Sequence, residues 1–330
     1  MKALVLTEPK KIEIITKAMP QLKADTVLVK LKAAALNHRD QWIREGKYPG
    51  IQQGVTLGSD GAGVIELVGE EVSSWQPGDE VIINPNINWG EGDVQASDYT
   101  ILGMPTDGTL AEYIAVKADR LVAKPMHLNW AEAAALPLGG LTAYRAVFTQ
   151  GALKKDQKVL INGIGGGVAQ WAFKLALAAG ARVWVTSSQS EKIAEAVRQG
   201  ADGGFNYKQE NWAKEAGKEV KGFDLVIDSA GGDGLNALID AMCPGGTIVF
   251  YGATTGVPKN LNLHKIFWQQ IRLQGSTMGS DKEFQEMVNF VNEHKIRPII
   301  EDPIPFESVK HAFDQMKEGA QFGKLVVTFE

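Results

Sequence analysis

The chain has 330 residues, 44% hydrophobic and 22% charged, with a net charge of −5 and one cysteine. This ordinary globular composition is long enough for two domains and a sizeable core. It excludes a disulfide framework or a cysteine zinc cluster. No apolar run approaches the roughly 18 residues of a membrane span, and with no basic block nucleic acid is not the expected partner. Met1-Lys-Ala-Leu-Val-Leu6 is too short for a secretory apolar region and reads as a first strand, so the expected location is the cytoplasm.

Residues 1 to 125 are β-rich. Met1–Thr7, Ile12–Thr16, Thr26–Ala34, Gly61–Val68 and Glu80–Ile83 are short apolar or alternating runs parted by turn residues, including Gln76-Pro-Gly-Asp79. They predict a partly open, barrel-like β domain. Residues 84–109 are rich in Asn, Asp and Gly, show no period, and read as a long surface lobe. Gly108–Tyr113 returns to a strand.

Residues 126–270 alternate strands and helices, which predicts a parallel sheet covered on both faces. Trp130–Thr149 reads as helical, interrupted at Pro137-Leu-Gly-Gly140. Lys158–Ile161 is a short buried strand, and Asn162-Gly-Ile-Gly-Gly-Gly167 follows it. Val168–Ala179 has helical spacing and stops at Gly180, and Arg182–Thr186 is a second strand. Strand, glycine turn, helix and strand form a unit that binds a dinucleotide: glycines let the backbone approach a pyrophosphate, and the helix start offers free N–H groups.

The end of the second strand selects among dinucleotides. An NAD site calls for Asp or Glu there to hold the ribose hydroxyls. Thr186, Ser187 and Ser188 stand at that place instead, and the first carboxylate is Glu191. The two serines with Lys192 suit a 2′-phosphate, so NADP(H) is expected over NAD(H). The plainer reading is that Ser187 and Ser188 cap a helix starting near Ser190.

Further along, Glu191–Gln199 and Leu235–Met242 read as helices, and Phe223–Asp228, Thr247–Tyr251 and Ile271–Gly275 as strands. Residues 281–330 predict two helices, Lys282–His294 and one near Phe306–Lys317, then a final strand Lys324–Phe329. This tail is expected to rejoin the first domain. The expected division is 1–125 with 271–330 as a discontinuous catalytic domain, and 126–270 as the nucleotide domain.

Ala35-Leu-Asn-His-Arg-Asp40, Gly58-Ser-Asp-Gly-Ala-Gly63, Pro77-Gly-Asp79, Leu141-Thr-Ala-Tyr144 and the glycine turn occur in an order that resembles the medium-chain dehydrogenase/reductase superfamily over essentially the whole chain. The resemblance is nearest to its zinc-free quinone oxidoreductase branch, with a lobe like that of zinc-type alcohol dehydrogenases at 84–109. It implies an α/β protein with a GroES-like catalytic domain and a Rossmann nucleotide domain. It places the three catalytic-zinc ligand positions of the alcohol dehydrogenases at Asn37, Ser59 and Leu138. An amide, a hydroxyl and an alkyl group do not make that ligand set, so no zinc is expected. The lobe also lacks the cysteines of a structural zinc, and must hold itself by packing and hydrogen bonds or be mobile.

Without a strong Lewis acid, the implied reaction is NADPH-dependent reduction of acceptors that give a delocalised anion: quinones, or α,β-unsaturated ketones and aldehydes. By motif, Asn37 resembles the residue beside nicotinamide and carbonyl, and Tyr48 the aromatic residue at the substrate mouth. Asp40 is a nearby polar candidate, although a helix-start residue is the plainer reading. On the cofactor side the resemblance implies Thr142, Gly163, Gly165, Gly166, Gly167, Val168, Ser187, Ser188, Lys192, Tyr207, Gly252, Ala253, Ser276, Met278 and Lys324. Lys324 reads equally as a strand-edge charge, Cys243 as an inert residue late in a helix, and Trp89 as a packing residue or one shaping a cleft. The resemblance also implies a homodimer joined near 247–275. Two rival readings remain: an alcohol dehydrogenase-like activity with unusual or no zinc, and an NADPH-binding protein with little catalysis.

Overall fold

The computed structural model describes residues 1–319 and 321–330. The chain divides into two compact units, 1–139 with 280–330, and 140–279. These boundaries differ from the expected 125/126 and 270/271. The helix Trp130–Ala134 packs on the strands of the first unit, and the strand Arg272–Gly275 pairs with Met242–Phe250 in the nucleotide sheet.

In the first unit, Thr26–Ala35 is the central strand of a seven-stranded sheet. It pairs antiparallel with Asp60–Val68, Tyr113–Lys117 and Val326–Thr328. Its side chains alternate between faces. Val27, Val29 and Leu31 pack with Ile65, Val81 and Ile83. At its other end Ala34 and Leu36 join Leu4, Leu57, Phe306, Phe313 and Val327. The C-terminal tail therefore completes this sheet, as the sequence predicts. The 84–109 lobe contains a minimal antiparallel pair, Asn86–Ile87 with Thr100–Ile101. Trp89 is 1% exposed and meets the Tyr99 ring edge-on at 5.1 Å. The Tyr99 hydroxyl donates to Asn86 Oδ1 at 2.7 Å and Trp89 Nε1 to the Gly92 carbonyl at 3.1 Å. Trp89 is thus the lobe's core, and aromatic packing does locally what cysteine ligation does elsewhere.

The second unit is a six-stranded parallel sheet in the order Gly203–Asn206, Arg182–Ser187, Lys158–Ile161, Phe223–Asp228, Met242–Phe250, Arg272–Gly275. The chain leaves Lys158–Ile161 in one direction and returns on its other side, so the strand order reverses between Lys158–Ile161 and Phe223–Asp228. Ligands of such sheets bind beyond the carboxyl ends of the strands at this switch point. The strands are apolar on both faces, with Val159, Leu160, Ile161, Val226 and Ile227 at most 1% exposed.

Two local expectations are corrected. Pro137-Leu-Gly-Gly140 does not interrupt a helix; it opens one, Pro137–Tyr144, because proline's missing N–H costs nothing at a helix start. That helix continues as a π-helical stretch, Arg145–Gln150. Cys243 is not in a helix but in the strand Met242–Phe250. The strand bulges between the pairs Phe223↔Met242 and Leu225↔Thr247, which is how it tolerates Pro244. Burial and the neighbouring Asp224 push the Cys243 thiol upward, so it stays protonated. Among the described residues, no helix is long and apolar enough to cross a membrane.

Candidate active site

The glycine turn of the nucleotide unit has an open outer face. Gly163 has φ +76°, and a side chain there would meet nothing within 4 Å; one at Gly166 would meet only the Gly163 carbonyl, at 3.9 Å. Gly166 is the N-cap of the helix Gly167–Ala178. Gly165, Gly166, Gly167 and Val168 therefore stand at the start of a 12-residue helix whose first N–H groups have no acceptor within the helix. An open backbone cradle ending in free N–H groups fits a pyrophosphate.

A network overlooked in the sequence holds this turn to three strand ends. Asn162 Nδ2 donates to Asp228 Oδ1 at 2.7 Å, and Thr186 Oγ1 donates to Asn162 Oδ1 at 2.5 Å. The Gly163 N–H donates to Thr186 Oγ1 at 3.0 Å. Asp228 also accepts the N–H groups of Ala230 and Gly231 at 3.0 and 2.9 Å. The available signal was a polar residue closing each of three apolar runs: Asn162, Thr186 and Asp228.

Beyond Arg182–Ser187, the Ser187 hydroxyl accepts the Gln189 N–H at 3.1 Å. The helix Ser190–Arg198 is capped at Gln189, so Ser187 and Ser188 precede the cap rather than forming it. Lys192 lies in the first turn of that helix. Tyr207 is 44% exposed, and its N–H donates to the Ser187 carbonyl at 3.2 Å. No carboxylate stands at residues 186–188 of this strand end. Buried Thr142 donates to Met278 Sδ at 3.7 Å. The Ser276 N–H donates to the Phe250 carbonyl at 2.9 Å. Gly252 passes so close to the end of Phe223–Asp228 that a side chain there would lie 2.9 Å from the Ser229 carbonyl, and Ala253 follows it. These residues share the carboxyl end of the sheet.

In the catalytic unit, Asn37 is the N-cap of the helix His38–Arg44, and its N–H donates to Asp40 Oδ2 at 2.8 Å. Asp40 thus serves the helix start, which corrects its candidacy as a catalytic group. It is fully buried, its Oδ1 has no partner among the described residues, and desolvation pushes its carboxyl above the ordinary range against the opposing pull of Arg39. Burial likewise pushes His38 below the ordinary histidine value.

Lys324 is 4% exposed. Its ammonium donates to the Leu36 carbonyl at 2.8 Å, Asn37 Oδ1 at 2.7 Å and Asp60 Oδ2 at 2.8 Å. Those bonds use all three of its donors. Lys324 is therefore neither a strand-edge charge nor available as a direct cofactor ligand; it holds Asn37. Asp60 completes the cluster, accepting Asn37 Nδ2 at 2.9 Å and the Leu138 N–H at 2.7 Å. The Asn37 amide is fixed with its oxygen on an ammonium and its nitrogen on a carboxylate, so one amide N–H points to no protein acceptor among the described residues.

Arg39, unnoticed in the sequence, is 6% exposed. Its Nη1 donates to Ser59 Oγ at 2.6 Å and the Leu102 carbonyl at 2.8 Å, its Nη2 to the Met104 carbonyl at 3.3 Å, and its Nε to the Tyr48 hydroxyl at 3.3 Å. Its guanidinium carbon lies 4.9 Å from the Tyr48 ring centre. Ser59 Oγ also donates to the Leu102 carbonyl at 2.9 Å.

The first 139 residues contain a match, at 23–126, to the alcohol dehydrogenase GroES-like domain, and a second match, to the zinc-binding dehydrogenase domain, covers 167–293. The chain belongs to the medium-chain dehydrogenase/reductase superfamily. It is 36% identical to the zinc-type alcohol dehydrogenase-like protein YogA of Leptosphaeria maculans, over 97% of this chain and 94% of that one. It is 30% identical to the crotonyl-CoA carboxylase/reductase of Cereibacter sphaeroides, over 90% of this chain and 78% of that one. A solved NAD-dependent alcohol dehydrogenase matches all of both chains at a TM-score of 0.95 and 34% identity.

Zinc is implied by these relatives, and the residues here do not fit it. The Asn37 amide oxygen is held by Lys324 and the Ser59 hydroxyl by the Arg39 guanidinium, while Leu138 has no donor atom in its side chain. Zinc sites are built from thiolate, imidazole and carboxylate; here the first two positions face fixed cations.

Proposed function

We propose that the protein is a zinc-free, NADPH-dependent oxidoreductase that reduces quinones or α,β-unsaturated carbonyl compounds. The observation that carries this reading is the substitution at the ligand positions, where an amide locked between Lys324 and Asp60 replaces a metal ligand. When bound, NADPH supplies the hydride. The glycine turn holds its pyrophosphate, and Ser187, Ser188 and Lys192 favour its 2′-phosphate. The remaining Asn37 amide N–H donates to the acceptor's carbonyl oxygen. Hydrogen-bond donors stabilise a spread enolate or hydroquinone anion far better than a localised alkoxide. The final proton comes from solvent. The relative named as a crotonyl-CoA carboxylase/reductase supports a reductive direction. Two copies are proposed to pair along Arg272–Gly275, the outermost strand of the nucleotide sheet, beside the exposed Phe267 and Trp268, in the cytoplasm.

NADPH consumption at 340 nm against quinones, enones and a simple ketone tests this reading, with metal analysis of the same sample. Turnover of activated acceptors, none of the ketone, and no stoichiometric zinc are expected. Turnover of the ketone alone, or one zinc per chain, overturns it.

A further inference from the structure

A buried guanidinium without a carboxylate partner is costly, because its charge has left water with no opposite charge bonded to it. Arg39 is in that position: its four hydrogen bonds go to two carbonyls and two hydroxyls, all neutral. Asp40 follows it in the chain, but its Oδ2 is used by the Asn37 N–H and its Oδ1 bonds to nothing among the described residues. Arginine has five N–H donors. Tyr48 and Ser59 take one each and the Leu102 and Met104 carbonyls one each, so one N–H on Nη2 is unspent. The Tyr48 hydroxyl accepts from Arg39 Nε and has no acceptor of its own among the described residues, so its hydrogen is unspent too. A cation with no carboxylate hydrogen-bonded to it and two unspent donors stand side by side, next to Ser59.

We propose that Arg39 and Tyr48 form the anion-stabilising pair of the catalytic unit, which takes an acceptor oxygen that becomes negative during reduction. This rests on the proposed reductase activity. As the hydride bonds to the β-carbon of an enone, the C=C electron pair moves into the C–C bond next to the carbonyl, and the carbonyl pair moves onto oxygen. The oxygen becomes an enolate, accepting from the Tyr48 O–H as well as the Asn37 amide, with the Arg39 cation behind Tyr48. A solvent proton then adds at the α-carbon, and the enolate pair returns to restore the carbonyl. Arg39 does for the charge what a dication does in a metal site, and positions Tyr48 through its Nε bond.

Two measurements test this, the second of them on the NADP-bound protein. The first is steady-state reduction of 2-cyclohexenone with NADPH by wild type, R39M, R39K and Y48F. R39M is expected to lower kcat about a hundredfold, the scale of losing one oxyanion donor, with the KM for NADPH unchanged. R39K should recover at least tenfold. R39M combined with Y48F should cost less than the product of the two single effects, because the residues act as a unit. The second measurement is independent of turnover. 4-Nitrophenol, read by absorbance, mimics the enolate oxygen. Wild type should bind its phenolate at least tenfold tighter than its phenol, and R39M and Y48F should lose that preference. Y48F removes only one hydroxyl and leaves three Arg39 bonds intact, so the test survives if R39M does not fold. A phenolate preference equal in wild type and Y48F, or kcat within threefold of wild type in the folded variants, overturns the pair. A preference lost in the variants, with no cyclohexenone turnover by wild type, sustains the pair and overturns the reductase reading instead.

Discussion

Each unit contains an asparagine bonded through Nδ2 to an aspartate, and the two pairs do different work. In the nucleotide unit, Asn162 donates to Asp228 at 2.7 Å and its oxygen accepts a neutral hydroxyl, that of Thr186. In the catalytic unit, Asn37 donates to Asp60 at 2.9 Å and its oxygen accepts the Lys324 ammonium. The first pair ties the ends of neighbouring strands, so its load is spread over backbone that parallel pairing already holds. The second joins the start of a short helix, a strand and a lysine nearly 290 residues later in the chain, around a charge no solvent reaches. The same amide–carboxylate unit is a clip in one place and the anionic half of a buried ion cluster in the other.

The largest expected effect is on the charged cluster. Lys324→Met leaves Asp60 buried and unpaired, and should destabilise the protein by about 3–5 kcal/mol. Adding Asp60→Asn should restore part of that loss. Urea unfolding of the three proteins measures it; a loss under about 1 kcal/mol would show that the ion pair is not what fixes Asn37. The clip without a cation should cost less. Asn162→Leu leaves the Asp228 carboxylate and the Thr186 hydroxyl each short of a partner, for about 1–3 kcal/mol, and should weaken NADPH binding through the displaced Gly163 turn. Calorimetric titration that finds wild-type affinity separates the clip from the cradle.

Next comes the choice of cofactor. Ser187→Asp with Lys192→Ala should cut the preference for NADPH over NADH by roughly tenfold or more, since a phosphate loses a charge partner and gains a repelling carboxylate. Fluorescence titration with both cofactors reads the ratio, and an unchanged ratio removes the 2′-phosphate assignment.

The smallest effect is on pH dependence. Burial raises Asp40 above its ordinary value of 3.8. As pH rises past that value, the unfolded chain releases a proton that the folded chain keeps, so folding loses stability. Asp40→Asn does not titrate. Its melting temperature relative to wild type should therefore climb from pH 4 upward; a flat difference refutes the raised carboxyl. His38 has the opposite slope, because burial lowers it from 6.5. Below that pH the unfolded chain gains a proton that the folded chain refuses, and stability falls as pH falls.

The fold of the second unit was legible because its signals are local. Four glycines, a helix start and a second strand lie within 35 residues, and that spacing reads as one strand–helix–strand unit of a parallel sheet. The end of the second strand, without a carboxylate, was readable for the same reason. The π-helical turn after Tyr144 and the bulge that admits Pro244 were not, since each is set by what packs against it rather than by its own propensity.

The sequence by itself determined the order of the elements, the doubly wound sheet and the return of the tail to the first unit. Motifs and periodicity are short-range, and those properties are written in them. Only the tertiary structure decided what surrounds Asn37 and Ser59. Arg39 went unnoticed in the sequence, and Lys324 was expected either close to the cofactor or as a strand-edge charge. Burial turned both inward, onto Ser59 and Tyr48 and onto Asn37 and Asp60, because each found acceptors from distant segments that made leaving water tolerable.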